Sequence, residues 1–142
     1  MVTTDEGQGG DDVSDGAFNI YIVDDDRDVR ASLSFMLATA GRTCRTFAGA
    51  QEYLDALDTL EPGCALVDIR MPVMDGMQLL TELARRECKW PVVMMTGHGE
   101  ISLAAQAMRL GAIDFLEKPF EEELLLACLD KAGDLLNDRG GA

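Results

Sequence analysis

The stretch Cys64-Ala65-Leu66-Val67-Asp68-Ile69-Arg70-Met71-Pro72 decides how this chain is read. Ala65, Leu66 and Val67 form a continuous apolar run, as expected of a central parallel strand covered on both faces. A single carboxylate, Asp68, follows directly, and Pro72 stops the loop beyond it. An acid so placed sits at the carboxyl end of its strand, the edge of an open α/β sheet where ligands bind. The same residue would also serve as an ordinary loop cap, accepting a hydrogen bond from a nearby backbone N–H. The stretch alone leaves both readings open, and the other strand ends decide between them.

Upstream, Phe18 to Val23 is a β-branched and aromatic run that reads as a first strand and ends in Asp24-Asp25-Asp26. Val29, Leu33, Met36, Leu37 and Ala40 then recur at helical spacing, with Asp26 as the expected N-cap and Gly41 as the stop. Thr43 to Phe47 reads as a short strand and Ala50 to Leu60 as a helix, broken by Glu61-Pro62-Gly63. Downstream, Met77, Leu79, Leu80 and Leu83 mark a third helix, and Val92 to Met95 a fourth strand ending in Thr96-Gly97-His98-Gly99. A fourth helix runs to about Leu110 and is closed by Gly111. Ile113 to Leu116 reads as a fifth strand with Glu117-Lys118-Pro119 at its end. A last helix runs from about Glu121 to Asn137, with its leading glutamates favourable to the helix dipole. Strand and helix alternate five times, which predicts a parallel sheet with right-handed crossovers and helices on both faces.

The chain has 142 residues, 47% of them hydrophobic, enough for one domain with a real core. Residues 1–17, with Asp5, Glu6, Asp11, Asp12 and Asp15 and no base, read as a disordered acidic tail. The domain is expected over 18–137, with 138–142 frayed. The formal charge of −14 argues against nucleic-acid binding through phosphate neutralisation. No apolar run suits a membrane span or a signal peptide, so a cytoplasmic protein is expected. Cys44, Cys64, Cys88 and Cys128 are widely spaced and read as reduced thiols rather than a zinc or disulfide set.

Three strands deliver polar groups to one edge: Asp24, Asp25 and Asp26 from the first, Asp68 from the third and Thr96 from the fourth. The fifth adds Lys118. Each alone is an ordinary cap or solvated charge, but together they read as one site. Converging carboxylates raise one another's pKa, and a hard divalent cation relieves the repulsion. Magnesium fits an all-oxygen set of this size, whereas zinc would call for nearby His or Cys ligands. Metal, lysine, hydroxyl and a carboxylate nucleophile are the parts needed for phosphoryl transfer, with an aspartyl-phosphate forming on Asp68.

The set VDDD, VDIRMP, MMTGHG and FLEKPF, at these spacings, resembles the receiver domain of two-component response regulators over about residues 18–137. The wording TGHG and DFLEKPF is most similar to receivers of the FixJ and NtrC/DctD types. The resemblance implies a flavodoxin-like (βα)5 three-layer sandwich with a five-stranded parallel sheet of order 2-1-3-4-5. It implies that Asp68 is the phosphoacceptor, and that Asp24, Asp25, Asp68 and the Arg70 backbone carbonyl hold Mg2+. It further implies that Thr96 and Lys118 contact the phosphoryl group, that Thr96 and Phe115 form the switch, and that Lys118-Pro119 is cis. The expected partner is a sensor histidine kinase, with homodimerisation on phosphorylation through the fourth helix and fifth strand. The implied behaviour is that of a self-phosphorylating signalling switch with autodephosphorylation, not of a turnover enzyme. Relatives of these types usually continue into an output domain, so a stand-alone receiver and part of a longer regulator are both open.

The rival from another class is a magnesium-dependent phosphatase with an aspartate nucleophile. Such enzymes need a second acid two residues on, and that place holds Arg70. A degenerate receiver that only binds partners is the other rival, but every key position is filled. His98 reads as a loop residue at the rim of the site rather than a phosphocarrier or metal ligand, with a tuning role in hydrolysis open. The eight methionines read as adaptable core filler, with kinase contact by Met71, Met74 and Met77 as the lesser alternative. Trp90 is expected to pack at a strand entrance.

Overall fold

The computed structural model describes residues 18–97 and 100–138. Five strands, β1 (Asn19–Val23), β2 (Arg45–Phe47), β3 (Gly63–Asp68), β4 (Val92–Thr96) and β5 (Asp114–Glu117), alternate with five helices. The helices are α1 (Arg27–Thr39), α2 (Ala50–Ala56), α3 (Gly76–Arg85), α4 (Ile101–Arg109) and α5 (Glu122–Asp138). All pairings are parallel and the strand order is β2-β1-β3-β4-β5, as expected. This is the flavodoxin-like doubly wound sheet.

The period-2 alternation of the strands sorts the core into two layers. Tyr21, Val23, Ala65, Val67, Val92 and Met94 pack on one face with Tyr53, Leu79 and Ala107 from α2, α3 and α4. Ile20, Ile22, Cys64, Leu66, Val93 and Met95 pack on the other with Leu33, Leu37, Leu125 and Leu129 from α1 and α5. Every residue of β3 is buried, including Asp68 at its end. The anchor strand is therefore central in both senses, with β1 on one side and β4 on the other.

Where expectation and structure differ, the reason is local. The second helix was expected to reach Leu60; α2 ends at Ala56 and a 3-10 turn, Leu57–Thr59, follows. That tighter turn keeps Leu57 buried while Thr59 donates its hydroxyl to the Ala56 carbonyl. Strand β2 lies at the sheet edge and pairs over Arg45–Phe47 alone, so Thr43 and Cys44 stay outside it. The N-cap of α1 is Asp26, whose carboxylate accepts from the Asp28 and Val29 N–H groups. Asp75 and Gln78 close a reciprocal capping box at the start of α3. The four cysteines are free thiols. Trp90 stacks on Tyr21 with ring centroids 6.3 Å apart, at the entrance of β4. No described helix is long and apolar enough to cross a membrane. The expected tail over 1–17 and His98 lie outside the described residues.

Candidate functional site

Strand register brings the polar groups together. Val23 pairs with Val67, so Asp24 and Asp68 emerge side by side where β1 and β3 end. Asp68 is opposite Met95, which places Thr96 one step beyond it on β4. Thr96 in turn is opposite Glu117, and Lys118 donates its backbone N–H to the Thr96 carbonyl at 2.8 Å. Four neighbouring strands thus end along one edge of the sheet because their apolar runs end in register.

Side chains complete the arrangement. The Lys118 Nζ lies 3.0 Å from Asp24 Oδ2 and 3.5 Å from Asp68 Oδ1, so one ammonium bridges two carboxylates. Asp24 is fully buried, and its Oδ1 accepts from the Asp26 N–H at 2.9 Å. Carboxylate oxygens of Asp24, Asp25 and Asp68 all lie within 4.8 Å of one another. An all-oxygen cluster of this kind suits a hard cation, and Asp25 offers its group from the solvent side. The Lys118-Pro119 peptide is cis, as the resemblance implies.

Electrostatics mark the same residues. Burial and then the neighbouring Asp24 charge raise the Asp68 carboxyl from its ordinary 3.8 to about 6, against the lowering effects of Lys118 and the Arg70 N–H. Burial pushes the Lys118 ammonium down, but its bonds and charges with Asp24 and Asp68 outweigh this and its pKa is raised. The Thr96 hydroxyl is buried with no hydrogen-bond partner among the described residues. A buried hydroxyl left unpaired costs about 1–3 kcal/mol, and a ligand oxygen arriving at the site would remove that cost.

Phe115, opposite Met94 in register, lies on the same side of the sheet as Thr96 and packs half-buried against the α2–α4 layer. Arg70 supplies a backbone N–H to the Asp68 carboxylate, while its exposed guanidinium pairs with Glu100. Glu100 also accepts the Gly97 N–H at 2.8 Å. Hydrogen bonds from Arg70 and then Gly97 hold the Glu100 carboxyl below the usual range. Glu100 was not among the expected site residues; its signal was an acid three positions past Gly97, where a new helix begins.

A family model of the response regulator receiver domain matches residues 20–130. The chain belongs to this family, the phosphoaspartate signalling modules of two-component systems. Among its relatives is the transcriptional regulatory protein FixJ of Bradyrhizobium diazoefficiens, 47% identical over 114 residues, or 80% of this chain and 56% of that protein. The DNA-binding transcriptional regulator NtrC of Klebsiella pneumoniae is 44% identical over 112 residues, covering 79% of this chain and 24% of that one. The chain therefore spans about half the length, or less, of these curated relatives. Among solved structures, full-length FixJ from B. japonicum superposes with a TM-score of 0.78 at 46% identity, over 82% of this chain and 57% of that one. The receiver domain of NtrX from Brucella abortus gives a TM-score of 0.76 at 36% identity, covering 81% and 98%.

Proposed function

We propose that Asp68 is the phosphoacceptor of a magnesium-dependent switch, loaded by a sensor histidine kinase and read out through α4 and β5. The observation that carries this reading is the buried Asp68 carboxylate, bridged to Asp24 by Lys118 beside a Thr96 hydroxyl with no partner among the described residues. A carboxylate oxygen of Asp68 attacks the phosphorus of a phosphohistidine. The O–P bond forms as the P–N bond breaks, and the electron pair stays with the departing imidazole. Lys118 offsets the negative charge of the phosphoryl oxygens, and Thr96 donates its hydroxyl to one of them. Attack by water at phosphorus later returns phosphate and the free carboxylate.

Asp24, Asp25, Asp68 and the Arg70 carbonyl are the residues that would hold the cation. When bound, magnesium supplies neutralisation of carboxylate and phosphoryl charge. Inward movement of Thr96 opens space on the α4 side of the sheet, into which Phe115 turns. The α4–β5 face, where Met108 is exposed, then changes shape for a second copy or an output partner. We take residues 18–137 as the receiver unit. No part of this reading calls for direct nucleic-acid contact by this chain.

The test is mass spectrometry of the intact protein after acetyl phosphate, with and without magnesium, on wild type and Asp68→Asn. One phosphoryl adduct on wild type, dependent on magnesium and absent from the variant, is expected. An adduct of equal yield on Asp68→Asn overturns the assignment. Steady turnover of small phosphate esters would favour the phosphatase instead.

A further inference from the structure

The Glu100 carboxylate ties together the two loops that border Asp68. It takes the guanidinium of Arg70, two residues past Asp68, and the N–H of Gly97, one residue past Thr96. Both donors are spent on a side chain of the protein itself. Glu100 is also the N-cap of α4, and its carbonyl accepts from the Leu103 and Ala104 N–H groups. An anion held by donors of this kind, at the margin of a site that must receive a dianion, competes with the incoming group.

We propose that Glu100 is an internal stand-in for the phosphoryl anion: it occupies Arg70 and Gly97 until phosphorylation, and its expulsion frees the first turn of α4. The inference rests on the reading of Asp68 as acceptor and deepens it by naming a regulatory contact of that site. The exposed Arg70 end of the pair is screened by solvent, so its strength is modest and the exchange is reversible. A phosphoryl group carries more charge and more acceptor oxygens than a carboxylate, which favours it for the same donors. Arg70 then has two successive partners, Glu100 before loading and the phosphoryl group after it.

This gives opposite signs at the two ends of one ion pair, which a merely structural latch does not. The probe is beryllium fluoride with magnesium, titrated into wild type, Glu100→Gln and Arg70→Ala and followed by Trp90 fluorescence or calorimetry. Glu100→Gln, which frees both donors, is expected to bind about three- to tenfold more tightly. Arg70→Ala, which removes a donor, is expected to bind more weakly by a similar factor. Amide exchange over 101–109 in free Glu100→Gln is expected to match that of the loaded wild type. Equal affinity in Glu100→Gln and wild type, or changes of the same sign in both variants, overturns the proposal. If wild type neither binds the probe nor is phosphorylated on Asp68, the acceptor reading itself fails; if it does both while Glu100→Gln is unchanged, only this inference fails.

Discussion

Replacing Asp68 by Asn removes a charge that the metal-free fold holds at a cost, and the structure sets the size of that cost. Asp68 is 9% exposed and lies beside the buried Asp24. Its carboxyl is raised from 3.8 to about 6, by burial first and the Asp24 charge second, even with Lys118 at 3.5 Å. The folded protein therefore holds this proton more tightly than the unfolded chain does. Below 3.8 both states are protonated and the group costs nothing. Between 3.8 and about 6 stability falls as pH rises, and above 6 the full cost applies. Two pKa units correspond to about 3 kcal/mol. The Asn variant, equal in shape and neutral, is expected to exceed wild type by up to about that amount near neutral pH in chelator. At roughly 4 °C per kcal/mol for a domain of this size, the gain in Tm is about 10 °C. Thermal melts followed by circular dichroism at about pH 4 and about pH 7.5 give the measurement, since the gap must close at the acid end. Saturating magnesium is also expected to narrow it, because Asp68 belongs to the proposed ligand set and only wild type keeps that set complete. A variant no more stable than wild type near pH 7.5, or a gap that ignores pH, refutes the reasoning.

Asp25→Ala is expected to weaken magnesium binding at least tenfold by calorimetry while leaving the melting curve in chelator unchanged or shifted upward, since the side chain is exposed and adds only repulsion. Thr96→Val keeps volume and removes the unpaired buried hydroxyl; urea titration should show a gain of about 1 kcal/mol, together with loss of the phosphorylation-dependent change around α4. Gly76→Ala places a Cβ 2.6 Å from the Asp68 carbonyl oxygen and 2.9 Å from Ile69 Cα. Backbone cannot retreat cheaply there, so a loss of about 2 kcal/mol is expected in the same urea assay. Val73 is fully exposed with φ at 71°, a conformation that a β-branched residue adopts only under strain, so Val73→Gly should raise stability by about 1 kcal/mol.

The readable part of the site follows from one physical regularity. Short apolar runs such as Ile20–Val23, Ala65–Val67 and Val92–Met95, rich in β-branched residues and bounded by turn signals, read as buried strands, and whatever polar residue ends each run must emerge at the same edge once the strands pair in parallel. Asp24, Asp68 and Thr96 were legible for that reason, and the observed register brings them together. Lys118 was legible because Pro119 fixes where β5 stops. Periodicity carries no such information about Glu100. The role proposed for it depends on which way a partly exposed side chain turns between two loops, and an acid at a helix start reads equally well as a favourable dipole partner. The shortening of α2 was likewise hidden, since Leu57 satisfies a helical spacing and a 3-10 turn equally.

The same construction builds unrelieved electrostatic and hydrogen-bonding conflicts into the site. Ending several buried strands at one edge places Asp24 and Asp68 where water is scarce, and the single ammonium of Lys118 does not return the Asp68 carboxyl to its ordinary range. The Thr96 hydroxyl meets no hydrogen-bond partner among the described residues. On the proposed reading a cation would relieve the repulsion and a phosphoryl group would satisfy the hydroxyl, so both ligands would act on conflicts set by the fold itself. Differential interaction of this kind is what lets a small group shift a conformational equilibrium. The layer placed to respond in the proposed switch is the one holding Phe115 and Ala107, because it shares a face of the sheet with Thr96. The opposite layer, α1 and α5, packs on the side chains of alternating parity and has no equivalent unpaired group among the described residues at the strand ends. The output proposed through α4 and β5 follows from which side of β4 the Thr96 side chain occupies.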